Sequence, residues 1–310
     1  MNFKLGSFIL LLILGFNFSA KALNVTPPNK VVYGVDNRVE AYRSTKLQIA
    51  KSTMALIHND LLTPDVNFAQ NQKYNLPDLK FGYAYGLCSY ERFFEQGNPA
   101  NCSGSLIAKN LVLTAGHCIT DDYDCAKYHF VFDYRVSANG SFPKSVQASQ
   151  VYSCKRIINR TLTDYYDYAL IELDRDVVDR EPIQLELNAN LKAKDKVFVI
   201  GHPSGLPTKV GAYGLVRKTY SEYFSSNLDT YGGNSGSPVF NKDNRQVGIL
   251  VRGEWDYDYD TKNFCNFSHV CSSTGCLGEE STNIAPILRE NPIILETINK
   301  SQVLKNFKGK

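Results

Sequence analysis

The sequence predicts an all-β protein made of barrels or sandwiches, and two observations carry that prediction. Short apolar runs rich in β-branched and aromatic residues recur along the chain, with Gly, Asn, Asp or Pro between them. Helical periodicity is missing except around residues 283–295, where Pro286 and Pro292 interrupt it. The clearest strand-like runs cover residues 52–57, 105–108, 111–114, 129–132, 168–173, 196–200 and 247–251. A chain of 310 residues, 43% hydrophobic, suffices for one large domain or two smaller ones.

The amino-terminal segment has the pattern of an export signal. Lys4 precedes the apolar run 8–16, and the small-x-small sequence 20–22 suits signal peptidase. A membrane anchor is the alternative, but nine apolar residues are too few to cross a bilayer, which needs about 20. We therefore expect cleavage of residues 1–22, with Leu23 as the first residue of a secreted chain.

Charge and hydropathy narrow the possible partners. Removal of the signal takes away two lysines and no acid, which lowers the formal net charge from +3 to +1. No basic block follows that would track a phosphate backbone, so nucleic acid is excluded as a partner. No second long apolar run follows either, so we expect no membrane association after export.

The cysteine count predicts disulfides. Eight cysteines lie in the exported part, and an even number in an oxidising compartment favours pairing. Metal binding is the alternative, but no Cys-x-x-Cys pair is present and the five histidines are scattered. We predict no metal site.

Three short motifs carry the chemistry. Thr-Ala-Gly-His-Cys ends at Cys118 and contains His117, Asp-Tyr-Ala-Leu begins at Asp167, and Gly-Gly-Asn-Ser-Gly-Ser-Pro contains Ser235. A lone histidine or serine is more often a core or turn residue. Asp164 also competes with Asp167, but the Asp-x-Ala-Leu context favours Asp167. All three motifs together, in this order on an exported β-rich chain, indicate a catalytic site.

In these motifs, and in the order His, Asp, Ser, the sequence resembles the trypsin-like serine peptidases over most of residues 31–290. Gly-Asn-Ser-Gly-Ser-Pro-Val is most similar to the bacterial glutamyl endopeptidase, or V8-like, branch. The resemblance implies two packed six-stranded antiparallel β-barrels with the active site between them, and a short C-terminal helix. We place the first barrel at about 31–185 and the second at about 186–290, followed by a tail over 291–310.

The resemblance also assigns catalytic roles. Ser235 is the nucleophile, and it needs a base because a serine hydroxyl is weakly reactive at neutral pH. His117 is that base, and Asp167 holds its imidazole in the required tautomer. The backbone N–H groups of Gly233 and Ser235 form the oxyanion hole. This chemistry requires no cofactor.

One disulfide follows from the same resemblance, and a second is a candidate beside it. Cys102 and Cys118 match the bridge that ties the strand before the catalytic histidine to the histidine's own loop. Cys125 and Cys154 form a second candidate bridge within the first barrel. The pairing of the other four is open: they are Cys88, Cys265, Cys271 and Cys276.

The start of the peptidase domain suggests processing. Asn234, uncharged, stands where many relatives carry an aspartate that binds a newly freed N-terminus, so that ion-pair switch is absent. Residues 31–38 nevertheless resemble the mature start of V8-like enzymes, and Lys30 precedes them. We expect a short propeptide at residues 23–30 and a mature N-terminus at Val31. The alternative is that residues 31–38 form only an edge strand.

Residues before and after Ser235 suggest the P1 specificity. Asp229, six residues earlier, stands where trypsin's relatives place the acid at the pocket floor, which favours basic P1 side chains. The V8-like branch cuts after Glu with a histidine on the strand after the serine, but the corresponding run 248–253 contains none. Asp229 as a turn residue, and Arg252 as a partner for Asp229 or for an acidic P1, are alternatives. The candidate pocket residues are Asp229, Thr230, Val251, Arg252 and Gly253.

These inferences predict a secreted, monomeric serine endopeptidase that acts on proteins or peptides, with a basic P1 preference. Glutamyl specificity on the same fold is the alternative. A catalytically silent secreted binding homologue is disfavoured, because no member of the triad is lost. An esterase on an α/β-hydrolase fold is disfavoured by the His-before-Ser order and the lack of alternating helices.

Overall fold

The computed structural model describes residues 31–65 and 72–298. The expected signal peptide, the expected propeptide and residues 299–310 of the expected tail lie outside this part. The strands are β1 Val32–Tyr33, β2 Val39–Glu40, β3 Thr53–His58, β4 Thr63–Pro64, β5 Lys73–Asn75, β6 Ala100–Ala108, β7 Leu111–Thr114, β8 Tyr128–Val131, β9 Ser145–Gln147, β10 Val151–Leu162, β11 Asp167–Leu173, β12 Lys196–Gly201, β13 Lys209–Val210, β14 Gly214–Thr219, β15 Tyr223–Ser226, β16 Pro238–Asn241, β17 Gln246–Arg252, β18 Tyr257–Asp260, β19 Cys265–Ser268, β20 Val270–Cys271 and β21 Glu279–Asn283. The α-helices are α1 Leu47–Ala50, α2 Phe81–Ala84, α3 Asp122–Lys127, α4 Ile284–Glu290 and α5 292–298. Short 3₁₀ turns cover Ala41–Arg43, Asn59–Leu61, Ala148–Gln150 and Pro203–Gly205.

The first barrel is a closed ring of six antiparallel strands in the order β10-β11-β7-β6-β3-β8. Strand β8 pairs with both β3 and β10, which closes the ring and leaves no free edge. Every residue of β11 is buried, as expected where one face fills the barrel and the other is covered. The core joins buried aliphatic and aromatic side chains of all six strands, among them Met54, Leu106, Leu113, Phe130 and Leu170.

The second barrel is also a ring of six antiparallel strands. Its order is β14-β15-β21-β17-β16-β12, and a direct pairing of β14 with β12 closes it. Its core is built from buried residues that include Val197, Val216, Phe224, Val239 and Leu250. The predicted all-β fold of two six-stranded barrels is confirmed.

The segment before the first barrel lies against the second one. Strand β1 pairs in parallel with β20, and β2 pairs with β13, which extends the second sheet beyond its barrel. The strands of the first barrel therefore begin at Thr53, not near residue 31 where the sequence placed the start of this barrel. The reason is that β1 and β2 pair with strands far along the chain, β20 and β13. A local sequence pattern does not reveal such pairing.

The carboxyl-terminal helices return to the first barrel. Helix α4 follows β21 of the second barrel, and its Ile287 and Leu288 join the core cluster of the first. Tyr168 of β11 donates a hydrogen bond to Glu290 at 2.7 Å. Pro292 stands at the first position of α5, where the lack of an N–H costs nothing. The helices thus join the two halves. Within residues 31–65 and 72–298, no helix has the length and apolarity that a bilayer crossing requires.

Four disulfides join the eight cysteines. The structure pairs Cys102 with Cys118, the bridge that the resemblance implied, and Cys125 with Cys154, the second candidate bridge. The four cysteines left open by the sequence form Cys88–Cys265 and Cys271–Cys276. The first of these spans 177 residues and anchors β19 to the segment that follows α2.

Candidate active site

His117 lies in the tight turn after β7. The turn is held by a hydrogen bond from the Cys118 N–H to the Ala115 carbonyl at 3.1 Å. Arg160 of β10 donates to the carbonyl of Gly116 at 2.7 Å. With the disulfide from Cys118 to β6, these contacts fix the backbone on both sides of the histidine.

Asp167 is the first residue of β11 and is 5% exposed. One carboxylate oxygen lies 2.6 Å from Nδ1 of His117, and the other accepts the backbone N–H of His117 at 3.1 Å. Both oxygens therefore hold the histidine, one through its ring and one through its main chain. This geometry orients the imidazole with Nδ1 toward the acid.

Thr282 of β21 fastens Asp167 to the second barrel. Its hydroxyl donates to the Asp167 carbonyl at 3.0 Å and lies 3.4 Å from the Asp167 backbone N–H. This contact crosses from one barrel to the other directly beneath the His–Asp pair. The sequence motifs do not identify Thr282, because it lies 115 residues from Asp167 and carries no local signature.

Ser235 lies in the turn that precedes β16, and Gly233 gives this turn its shape. Gly233 has φ +83°, in the left-handed region that suits glycine. A Cβ at this position would lie 2.6 Å from the His202 carbonyl oxygen and 2.8 Å from the Gly205 nitrogen. Only glycine lets the turn pack so closely on the 203–205 turn.

Ser103 of β6 connects the serine turn to the histidine loop. Its N–H donates to the Ser235 carbonyl at 2.8 Å, and its hydroxyl donates to the Gly233 carbonyl at 2.8 Å. The sulfur of Cys118 lies 3.7 Å from the same Ser235 carbonyl. The structure therefore brings the backbone of Ser235 against the residue next to His117. Ser103 is fully buried and is a positioning residue that the sequence analysis missed.

Asn234 lies under the turn and is 2% exposed. Its side-chain oxygen accepts the hydroxyl of Ser237 at 3.2 Å, and its N–H donates to the Tyr231 carbonyl at 3.0 Å. The side chain thus braces the loop as a neutral hydrogen-bonding group.

Asp229, whose place at the floor of the P1 pocket stays a prediction, binds the amino-terminal segment through both of its carboxylate oxygens. One carboxylate oxygen accepts the N–H of Tyr33 at 2.7 Å and the other accepts the N–H of Asn37 at 2.9 Å. Burial raises the pKa of Asp229, and the two backbone donors oppose that shift. The next residue, Thr230, donates its N–H to the Val31 carbonyl at 3.1 Å. Asp229 therefore fastens the amino-terminal segment to the loop that leads to Ser235.

Thr230 and Gly253 do lie together, and a third residue joins them. The hydroxyl of Thr230 donates to a carboxylate oxygen of Glu279, which is fully buried. A side chain at Gly253 would begin 2.3 Å from both oxygens of that carboxylate. Sequence reasoning missed Glu279, because it lies 44 residues after Ser235 and has an identical neighbour in Glu280.

The other two pocket candidates face elsewhere. Val251 is 1% exposed and belongs to the hydrophobic core. The guanidinium of Arg252 pairs with Glu280 and donates to the Asp164 carbonyl at 2.5 Å. Arg252 thus pairs with Glu280 and not with Asp229, and its place in the P1 pocket stays a prediction.

Two clusters of His and Cys side chains approach metal-ligand spacing within the described residues. In each, the ligand atoms lie within 4.8 Å of one another. Both cysteines of each cluster are joined by a disulfide, so neither cluster offers thiolate ligands. The clusters are Cys102, His117 and Cys118, and His269, Cys271 and Cys276.

The first of the two closed antiparallel barrels carries a hydrogen-bonded His–Asp pair, and the second carries a Gly-Asn-Ser-Gly turn, an arrangement typical of two-barrel serine peptidases. Residues 102–249 match the family model described as a trypsin-like peptidase domain. This match confirms the resemblance to the trypsin-like serine peptidases that was drawn from the motifs. The matched segment contains all three predicted catalytic residues.

Among solved structures, the chain is similar to one described as a Glu endopeptidase in complex with MPD. The two share 15% sequence identity, with a TM-score of 0.47. The match covers 88% of this chain and 100% of the other.

Proposed function

We propose that the protein is an active, secreted serine endopeptidase in which Ser235, His117 and Asp167 form the catalytic triad. The observation that carries the proposal is the 2.6 Å contact between His117 and Asp167, beside the turn that contains Ser235. An aspartate in this position fixes the imidazole tautomer and stabilises the imidazolium that forms during the reaction. The four disulfides support export, because disulfides persist in oxidising compartments such as the cell exterior.

The proposed reaction is acyl transfer. The Ser235 hydroxyl attacks the peptide carbonyl while His117 accepts its proton, and the carbonyl oxygen becomes an oxyanion near the N–H groups of Gly233 and Ser235. His117 then returns the proton to the leaving amine. Water, deprotonated by His117, hydrolyses the acyl-enzyme and releases the second product.

The amino-terminal segment supports a mature start at Val31. Val31 is fully buried, and its carbonyl accepts the Thr230 N–H, while the N–H groups of Tyr33 and Asn37 donate to the Asp229 carboxylate. We propose that processing after Lys30 produces this terminus. N-terminal sequencing of the active secreted enzyme tests the proposal, and a fully active enzyme that starts at Leu23 would contradict it.

Labelling with a fluorophosphonate tests the catalytic proposal. The folded secreted protein should label at Ser235 and hydrolyse peptides, whereas Ser235→Ala should do neither. His117→Ala should lower kcat by at least about 10⁴-fold. His58→Ala is the matched control, because His58 is another partly exposed histidine of the same barrel, at the end of β3.

The same measurements distinguish an active endopeptidase from a catalytically silent binding homologue. A folded wild-type protein that neither labels nor hydrolyses any peptide of a mixed library would identify a silent binding homologue. Equal activity of the His117 and His58 variants would show that another residue supplies the base. Either result would overturn the triad.

A further inference from the structure

We propose that Glu279 determines substrate specificity, and that the enzyme cleaves after Arg or Lys because this carboxylate binds the cationic P1 side chain. The inference rests on the proposed endopeptidase function and names its substrate class. It assigns this role to a residue of β21 instead of to Asp229, which lies in the loop after β15.

The position of Glu279 follows from strand pairing. Glu279 begins β21, which pairs with β17, and Leu250 of β17 lies opposite Ser281. The carbonyl of Leu250 accepts the N–H of Gly236, the residue after Ser235, at 2.7 Å. Strand β17 therefore separates β21 from the serine turn, and the end of β17 leads to Gly253. A P1 side chain that enters beside Ser235 and passes the end of β17 would meet the start of β21.

The side-chain contacts define a carboxylate site. The Thr230 hydroxyl donates to one oxygen of Glu279, and the Glu254 N–H donates to the other at 3.4 Å. The absence of a side chain at Gly253 leaves room for both oxygens, since a Cβ there would lie 2.3 Å from each. Thr230 and Gly253 come from the segments that flank Ser235 in sequence. Both residues contact the Glu279 carboxylate, so the three residues form one small site.

Acidic side chains predominate around this site, and the guanidinium of Arg217 is a nearby cation, 5.9 Å from the centroid of the Tyr33 ring. The carboxylate of Glu254 accepts the Leu277 N–H at 2.5 Å, and that of Asp256 accepts the Gly232 N–H at 2.9 Å. Burial raises the pKa of Tyr33, and the negative charge of Glu279 raises it further. A guanidinium or ammonium group would gain a charge-assisted hydrogen bond here, away from bulk water. A P1 glutamate would be repelled by the same charges.

The test compares substrates that differ only at P1. Fluorogenic peptides with P1 Arg, Lys, Gln or Glu are assayed with the wild-type enzyme and with Glu279→Gln. Wild type should prefer Arg and Lys. Glu279→Gln should lower the ratio of kcat/KM for Arg to that for Gln about a hundredfold, as expected when one partner of a buried charge pair is removed. The variant should still be labelled at Ser235 by a fluorophosphonate, which reports that its triad is intact.

Two variants serve as comparisons. Glu280→Gln makes the same change one residue along β21, where the side chain points to the opposite face and pairs with Arg252. Asp229→Asn tests the residue that spacing alone suggested. Both should keep the wild-type ratio of Arg to Gln cleavage, and a collapsed ratio in Asp229→Asn would assign specificity to that residue instead.

The outcomes distinguish this inference from the proposed function. A wild-type protein that labels but cleaves after Glu or Gln as well as after Arg would overturn the role of Glu279 and leave the triad intact. A protein that does not label would overturn the triad itself. If Glu279→Gln does not fold, inhibition of wild type by phenylguanidine and by its neutral analogue phenylurea decides: equal inhibition by the two would refute a carboxylate pocket.

Discussion

Replacement of Gly233 by alanine should damage both stability and catalysis, and Gly140→Ala provides a matched control. Both glycines have φ +83°. An alanine Cβ at 233 would lie 2.6 Å from the His202 carbonyl oxygen, whereas at 140 it would meet nothing within 4 Å. The two substitutions therefore share the backbone strain and differ only in the contact.

The structure sets the expected magnitudes. Alanine in the left-handed region costs roughly 1–2 kcal/mol, which is all that Gly140→Ala should lose. Gly233→Ala should lose about 1–3 kcal/mol more, because the atoms it meets belong to backbone that must move. That movement displaces the proposed oxyanion donor, and loss of one such donor lowers kcat about 10²–10³-fold.

Urea unfolding and steady-state kinetics measure the two effects. We expect Gly140→Ala to keep the wild-type kcat/KM and Gly233→Ala to retain less than about 1% of it. Equal unfolding free energies for the two variants would refute the steric argument. Wild-type kcat/KM in Gly233→Ala would refute the assignment of its N–H to the oxyanion hole.

Two further predictions concern the scaffold. Removing Cys125–Cys154 or Cys102–Cys118 by paired serine substitution should each cost about 3–4 kcal/mol, since the bridges span 29 and 16 residues. Only the second should also lower kcat, because it adjoins the catalytic histidine, and equal kcat in both variants would contradict this. Burial lowers the pKa of His202 to about 3. The unfolded imidazole binds its proton near pH 6.5, so stability should fall as pH drops from 6.5 toward 3, by about 1.4 kcal/mol per unit. Urea unfolding from pH 7 to 4.5 measures this slope, and an equal slope in His202→Gln would exclude the histidine as its source.

Most barrel strands could be predicted from local composition. The seven apolar runs all lie in or overlap strands, because β-branched and aromatic side chains fill barrel interiors. The runs account for seven of the twelve barrel strands, and β10, β14, β15, β16 and β21 were missed. Strand β10 shows the reason. This strand has a polar character, and its later residues are only partly buried. Its polar residues include Lys155, Arg156, Asn159 and Arg160. It is the longest strand of the first barrel and pairs with both β8 and β11, so pairing rather than composition makes it a strand.

The proposed catalytic residues and the proposed specificity residue differ in how well the sequence alone identifies them. His117, Asp167 and Ser235 lie in short motifs whose neighbours shape the local backbone, so a motif suffices to name them. Asp229 was assigned by spacing alone, and the structure shows both its oxygens bound to backbone N–H groups of the amino-terminal segment. The distance along the sequence between Asp229 and Ser235 does not reveal which hydrogen-bond donors contact the Asp229 carboxylate in the folded chain.

The sequence by itself determined the strand rhythm, the order of the catalytic motifs and two of the four disulfides. These properties depend on side-chain periodicity and on residues close together along the chain. Only the tertiary structure decided that Ser103 and Thr282 hold the site across the barrels, and that Glu279, not Asp229, lies with Thr230 and Gly253. Such contacts depend on which strands pair in each closed ring, and many distant residues determine that pairing jointly.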